Sequence, residues 1–202
     1  MRKPVAEPDD LFEQPDDEAT PLTPEEALDL IPSHIAFRPE LNAAEQANIL
    51  RGQTWALSRR RDLLSEKFVK DLHRQMLGEV WRWAGKFRTS ERNIGIAHWD
   101  IPVALRILLD DTRAWIEYKT YAPDEIAVRF HHRLVQIHPF PNGNGRHSRL
   151  MADLLVIQLG EERFSWGRRS LGDAGAVRAS YIQALKAGDR HDIGPLLAFA
   201  RS

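Results

Sequence analysis

The chain has no cysteine, which excludes disulfides and thiol chemistry. Its formal net charge is −1, so overall charge gives no attraction to nucleic acid or to an anionic membrane surface. No apolar run approaches the roughly 20 residues that a bilayer crossing needs. Arg2 and Lys3 are not followed by an apolar core, so no secretory signal is expected and a cytoplasmic protein is the default. Internal repeats are lacking too. What remains is 202 residues with 43% apolar and 28% charged content, enough for one globular domain with a substantial core and an extension.

Composition divides the chain. Residues 1–20 carry seven acids and two bases and few large apolar groups, too little to offset the entropy of ordering. Residues 1–22 therefore read as a flexible acidic arm, 23–62 as an N-terminal helical extension and 63–202 as the main domain. Pro24-Glu25-Glu26 suits a first helical turn, and Ile31-Pro32 breaks that helix. Asn42 with Glu45 three residues later has the form of a capping box for a helix to about Ser58. The basic run Arg59-Arg60-Arg61 reads as a solvated helix end, because no aromatic residues interleave it.

Further helices are expected over Leu63–Met76, Val103–Tyr118 and around Val177, Tyr181 and Leu185, with Gly194-Pro195 opening a last short one. Between them, Thr89, Asn93, Gly95 and the Ile94/Ile96 alternation suggest a short strand or hairpin.

The chemistry concentrates in His138-Pro-Phe-Pro-Asn-Gly-Asn-Gly-Arg-His-Ser-Arg149. Upstream, Ile126, Phe130, Leu134 and Ile137 make a helical stripe that Pro139 and Pro141 cannot continue. Downstream, Leu150, Leu154 and Ile157 make a second stripe that Gly160 can end. His138 should leave one helix, Asn142–Gly145 should turn tightly, and Arg146 should open the next helix. Gly143 and Gly145 allow positive φ and close approach of a ligand. Successive amides in such a turn form a concave nest for an anion, and the following helix start adds free N–H groups and its positive dipole end. Arg146 and Arg149 share a helix face and suit phosphate oxygens. His138 stands beside this cradle as a general base.

Four histidines lie close in sequence: His131, His132, His138 and His147. A metal-dependent hydrolase is the remote alternative they raise. No Asp or Glu lies between Glu125 and Asp153 to complete a typical site.

The motif resembles the signature of the Fic family, His-Pro-Phe-x-(Asp or Glu)-Gly-Asn-Gly-Arg-x-x-Arg, with Asn142 where a carboxylate is usual. Trp83-Ala-Gly-Lys-Phe-Arg88 is similar to the segment before that family's substrate flap. Leu41-Asn-Ala-Ala-Glu-Gln-Ala-Asn48 and the Pro-Asn-Gly-Asn-Gly-Arg-His variant most resemble the group called mobile mystery protein B. The resemblance implies a mainly α, Fic-like helical bundle with a short β-hairpin flap, and a Fic domain over 63–202.

It also implies a protein adenylyltransferase that moves AMP from ATP to a Tyr, Ser or Thr hydroxyl of a target protein. His138 would be the base. Gly143, Asn144, Gly145, Arg146 and Arg149 would hold the ATP phosphates, and Mg²⁺ would bind at Asn142. Asn93, Ile94, Gly95 and Ile96 would form the target-binding flap by strand-like pairing. Transfer of another phosphate ester, removal of AMP, and a nucleotide- and partner-binding fold without turnover remain alternatives. Glu45 is the internal candidate for an inhibitory group, pairing with Arg149. The other source is a small inhibitory partner, and a helix-turn-helix partner protein and toxin-like behaviour accompany the resemblance. No direct nucleic-acid or membrane contact is expected.

Overall fold

A computed structural model describes residues 28–168 and 174–202. The expected acidic arm and the start of the helix at Pro24 lie outside the described residues. Among those described are seven α-helices: α1 (Arg38–Leu57), α2 (Glu66–Leu77), α3 (Ile101–Glu117), α4 (Pro123–Ile137), α5 (Asn144–Gln158), α6 (Ala174–Asp189) and α7 (Gly194–Arg201). A short 3₁₀ turn, His98–Asp100, leads into α3. None of the described helices is long and apolar enough to cross a membrane.

The antiparallel pair α4 and α5 is the centre. On α4 the expected stripe is buried: Ile126, Phe130, Leu134 and Ile137 all face the core. On α5 every residue from His147 to Val156 is buried, so the helix is enclosed all round and not amphipathic. Ile157, expected on its apolar stripe, is instead 41% exposed. Enclosure forces the polar residues of α5 to find partners. Asp153 accepts from Trp166 Nε1 at 2.8 Å and Arg163 Nε at 2.6 Å. Around this pair, α3 packs on α4, α2 packs on α5, and α6 and α7 pack together with α7 against α4.

The extension is bolted to α2. Asn48, buried on α1, donates through Nδ2 to Gln75 O at 2.8 Å and accepts from the Glu79 amide at 2.9 Å, so one side chain serves both partners at the end of α2. At Gly52 a Cβ would stand 2.8 Å from Met76 Cα, so the two helices touch backbone to backbone there. The start of α1 differs from expectation. The helix begins at Arg38, not Asn42, because the Glu40 carboxylate accepts from the amides of Ala36 (2.9 Å) and Phe37 (3.3 Å). This releases Glu45 from capping.

The expected hairpin is also absent in that form. Residues 88–97 run as an irregular loop, and the β pairing among the described residues is one isolated bridge, Leu30 with Trp81. The loop's carbonyls are collected by a side chain instead. Buried Arg88 donates to Ser90 O at 3.1 Å and to Ile96 O, gathering both arms of the loop onto one guanidinium.

Candidate functional site

The loop between α4 and α5 is built by interlocking bonds. The helix ends at Ile137, and His138 turns into the left-handed region at φ 52° while its N–H still donates to Leu134 O at 3.1 Å. Phe140 is fully buried, and the Asn144 side chain clasps it at both backbone groups, accepting from its N–H (2.9 Å) and donating to its carbonyl (2.8 Å). The Phe140 ring stacks on His73 at 3.7 Å. His73 Nδ1 accepts from the Gly85 amide at 2.9 Å, which leaves Nε2 as the donor to Asn142 O at 3.0 Å. A neutral, buried histidine on α2 thus carries the turn.

The two glycines differ. Gly143 is at φ 75°, and a Cβ on it would meet Leu77 Cδ1 at 2.5 Å, so both conformation and space demand glycine. Gly145 lies inside the first turn of α5 and does not use positive φ, contrary to expectation. The first amides of α5, Asn144 to Arg146, have no intrahelical acceptors and point outward from the helix start.

These amides open on a cavity of about 370 Å³. Arg146 and Arg149 of α5 line it, as expected, and so do two arginines that the motif did not single out, Arg38 of α1 and Arg178 of α6. The Arg149 guanidinium sits 5.8 Å from the Tyr181 ring centre. Glu45, 7% exposed, is the one carboxylate among the described lining residues. Its Oε1 accepts from Trp81 Nε1 at 2.5 Å and its Oε2 pairs with Arg146 Nη1 at 2.7 Å. The ion pair expected with Arg149 is therefore made with Arg146. Asn48, three residues further along α1, is tied to Gln75 O and the Glu79 amide, and this anchoring fixes the face of α1 that carries Glu45.

Asn142, the expected metal ligand, is exposed, and its Oδ1 accepts from the Gly143 amide at 2.7 Å. A Mg²⁺ site built by a protein ordinarily offers one or two carboxylates. Here position 142 is neutral and engaged, and the only described carboxylate lining the cavity is paired. The residues present do not fit a protein-held Mg²⁺.

His138 is half-buried beside the cavity. Its pKa is lowered to about 4, first by burial and then by the nearby positive charges of Arg88 and Arg92, against an opposing contribution from the Val135 backbone. At neutral pH the imidazole is uncharged and can accept a proton. Arg88 locks this histidine's backbone to the loop before it. It donates through Nε to His138 O at 2.7 Å and through Nη2 to Ile137 O at 3.4 Å, and its own amide donates to Pro139 O at 2.9 Å. Gly95, at φ 106°, lies so close that a Cβ would stand 2.8 Å from His138 Cβ. Asn93, Ile94 and Gly95 are exposed and Ile96 half-buried, so the flap residues border the histidine.

The other histidines disperse. His131 Nε2 lies 3.0 Å from Tyr181 Oη, and burial lowers its pKa to about 3. His132 Nε2 lies 3.0 Å from Asp189 Oδ1 and 3.2 Å from Leu185 O, and His147 Nε2 donates to Val69 O at 3.0 Å. Among the described residues no group of three His, Cys, Asp or Glu side chains could hold a metal ion. The arrangement does not support the hydrolase alternative.

Sequence reasoning placed His138, Arg146 and Arg149 together at the loop. It missed Arg88, His73, Arg38 and Arg178. Arg88 closes the Trp83–Arg88 segment and could have been singled out there; His73, Arg38 and Arg178 carry no local signal.

Comparison with known proteins gives one consistent answer. The Fic/DOC family model matches residues 63–156. A protein adenylyltransferase Fic from Aedes aegypti is 30% identical over 147 residues, covering 71% of this chain and 28% of that protein. Its Drosophila melanogaster counterpart is 31% identical over 137 residues, covering 66% and 26%. The chain thus spans little more than a quarter of the length of these relatives. In three dimensions it resembles the N-terminal Fic domain of the Bep8 effector from Bartonella sp. 1-1C, with TM-score 0.67, 13% identity and coverage of 84% and 88%. It also resembles Fic-1 (residues 134–508) of C. elegans, with TM-score 0.61, 24% identity and coverage of 78% and 48%. At such identities these two likenesses concern the fold.

Proposed function

Because the chain belongs to the Fic/DOC family through residues 63–156, we propose that it is a protein adenylyltransferase, moving the AMP part of ATP to a Tyr, Ser or Thr hydroxyl of another protein. The observation that carries this reading is a neutral His138 beside an arginine-lined cavity onto which the first turn of α5 opens.

His138 takes the proton of the target hydroxyl. The hydroxyl oxygen bonds to the α-phosphorus, the bond from that phosphorus to the bridging oxygen breaks, and pyrophosphate leaves. Amides of Asn144, Gly145 and Arg146 receive charge developing on the phosphates. Gly143 contributes shape, since its own N–H is donated to Asn142. Arg146 and Arg149 receive the β- and γ-phosphates. The backbone of the flap residues 93–96, exposed at Asn93, Ile94 and Gly95, holds the target chain beside His138 through main-chain bonds. A Mg²⁺ would be carried by phosphate oxygens, and no step is assigned to it. Residues 63–202 form the catalytic unit in this reading, and the extension 23–62 brings in Glu45.

Glu45 is the inhibitory group. While it holds Arg146, that guanidinium cannot serve a phosphate. The cytoplasm is the proposed setting, where ATP is supplied. The likeness of Leu41–Asn48 to mobile mystery protein B adds toxin-like behaviour and a helix-turn-helix partner as proposals.

Incubation with ATP labelled at the α- or the γ-phosphate, plus a cell lysate, tests the reaction. Label on protein from the α position alone supports AMP transfer. Label from the γ position identifies phosphoryl transfer and sinks the reading. A second reading, nucleotide binding without turnover, draws on the Glu45–Arg146 pair and neutral Asn142. It prevails if ATP binds and the wild type and Glu45→Gly both leave protein unlabelled.

A further inference from the structure

We propose that the outer face at the start of α3 is a second contact for the target protein, where Trp99, Val103 and Ile107 receive a large apolar side chain about four to eight residues from the modified hydroxyl. The inference rests on the adenylyltransferase reading above and adds a class of target.

These three residues recur at spacings of four, so they share one face of the 3₁₀ turn and the first two turns of α3. They are 68%, 57% and 49% exposed, whereas Ile101, Leu105 and Leu108 on the opposite face are fully buried. Single exposed apolar residues are ordinary, but a contiguous row headed by a tryptophan is not. The indole is held outward from both sides. Ile96 packs on the core before it and Ile101 after it. The Glu91 carboxylate accepts from the His98 amide at 3.3 Å and lies 2.8 Å from His98 Nδ1, which closes the foot of the loop just before Trp99. The row is continuous with the flap. Exposed Ile94 lies in that loop, and Trp99 is four residues from Gly95, within about 14 Å along the chain. Gly95 itself stands against His138. An extended target rises about 3.3 Å per residue, so it covers this distance in about four residues, and Val103 and Ile107 follow at about 6 Å each. Main-chain bonds at the flap accept almost any sequence, and an apolar anchor beyond them selects. A second copy of the chain is a poorer occupant. Three side chains over two turns fall well short of the roughly 800 Å² per partner that a stable dimer buries, and exposed Arg106 and Asp110 interrupt the face with opposite charges. Added to contacts already made at the flap, the same area suffices, and tryptophan is a side chain on which such contacts depend heavily.

Labelling of a cell lysate with ATP labelled at the α-phosphate, by the full chain carrying Glu45→Gly and over a series of lysate concentrations, separates docking from chemistry. Trp99→Ala should raise the lysate concentration at half-maximal rate about tenfold and leave the maximal rate and the calorimetric ATP affinity unchanged. Trp99→Phe should recover most of the loss. Val103→Glu should reproduce it, since a charge on this face opposes an apolar partner. Both positions are exposed, so the substitutions spare the fold, which thermal midpoints check. Half-maximal concentrations unchanged in both Trp99→Ala and Val103→Glu overturn the inference. So does a lower maximal rate or a weaker ATP affinity in Trp99→Ala, which would place the indole in the catalytic cavity. Sedimentation of the wild type as a dimer that Trp99→Ala dissociates would assign the face to a second copy and also overturn it. Absence of label on every lysate protein fails the adenylyltransferase reading itself, and the inference with it.

Discussion

Arg88 does with one side chain what a pair of strands would have done with a ladder. Its guanidinium gathers carbonyls of Ser90, Ile96, Ile137 and His138, so the loop 88–97 and the turn after α4 are held by the same cation. Lysine keeps the charge but cannot reach four carbonyls in a plane. Arg88→Lys should therefore lower transfer by about 100-fold, the order expected for misplacing a reacting group, with ATP affinity unchanged. Full activity in that variant would show that the clamp is dispensable. His138→Ala should cost about 10²–10⁴-fold in transfer while ATP still binds, because the phosphate cradle is backbone and arginine. Transfer at the wild-type rate would remove His138 as the base. Asn142→Asp places a carboxylate where Asn142 stands, so Mg²⁺ should then tighten ATP binding, as titration with and without the ion would reveal. The motif residues were legible because their roles follow from spacing along a helix start. Arg88 and His73 were not, because they act on carbonyls 49 to 69 residues away, as in Arg88 to Ile137 and His73 to Asn142.

Among the elements, α1 is the one whose placement decides most. Propensity and capping pattern put its start at Asn42, yet the true cap is Glu40, four residues from the amide of Ala36 that it receives. The capping residue was misassigned because Asn42 and Glu45 form the more familiar pattern, and only burial against Trp81 and Arg146 reveals Glu45's other use. The hairpin was misjudged for a related reason: alternating Ile94 and Ile96 signal strand only when a neighbour supplies the ladder. By contrast α2 and α3 were readable within three residues at each end, and α4 by its stripe and its exit at His138, since their buried residues recur at helical spacing. Two outcomes follow for α1. Glu45→Gly should raise self-modification, measured as added AMP by mass spectrometry, because Arg146 is released. Equal, low modification in wild type and variant would rule out Glu45 as the brake. Asn48→Ala leaves the Gln75 carbonyl and Glu79 amide without their buried partner and should destabilise the fold by about 1–3 kcal/mol in denaturant unfolding.

Across the whole molecule, three fully buried histidines, His73, His131 and His147, act as neutral struts. Burial lowers the pKa of His73 well below the ordinary value, of His147 to about 4 and of His131 to about 3. The unfolded chain binds protons at these sites near pH 6.5, and the folded chain resists doing so. Their contribution to stability is therefore complete above about pH 6.5 and is lost as pH falls towards about 4. Denaturation midpoints measured across this interval should drop steadily, ahead of the range in which ordinary carboxylates titrate. A flat profile down to pH 4.5 would mean that these rings are not buried as neutral groups.

The Glu45–Arg146 pair spans 101 residues of sequence, with the acid first. A ribosome makes chains from the N-terminus at about 5–20 residues per second, so Glu45 is synthesised several seconds before Arg146 emerges. The arginine never exists in a chain that lacks its counter-charge. Had the carboxylate come from a separate polypeptide, each new molecule would pass through an interval, set by that partner's concentration, in which the cavity stood complete and unopposed. Under the inhibitory role proposed for Glu45, carrying the acid upstream in the same chain removes the interval and makes the pairing independent of a partner's gene dosage.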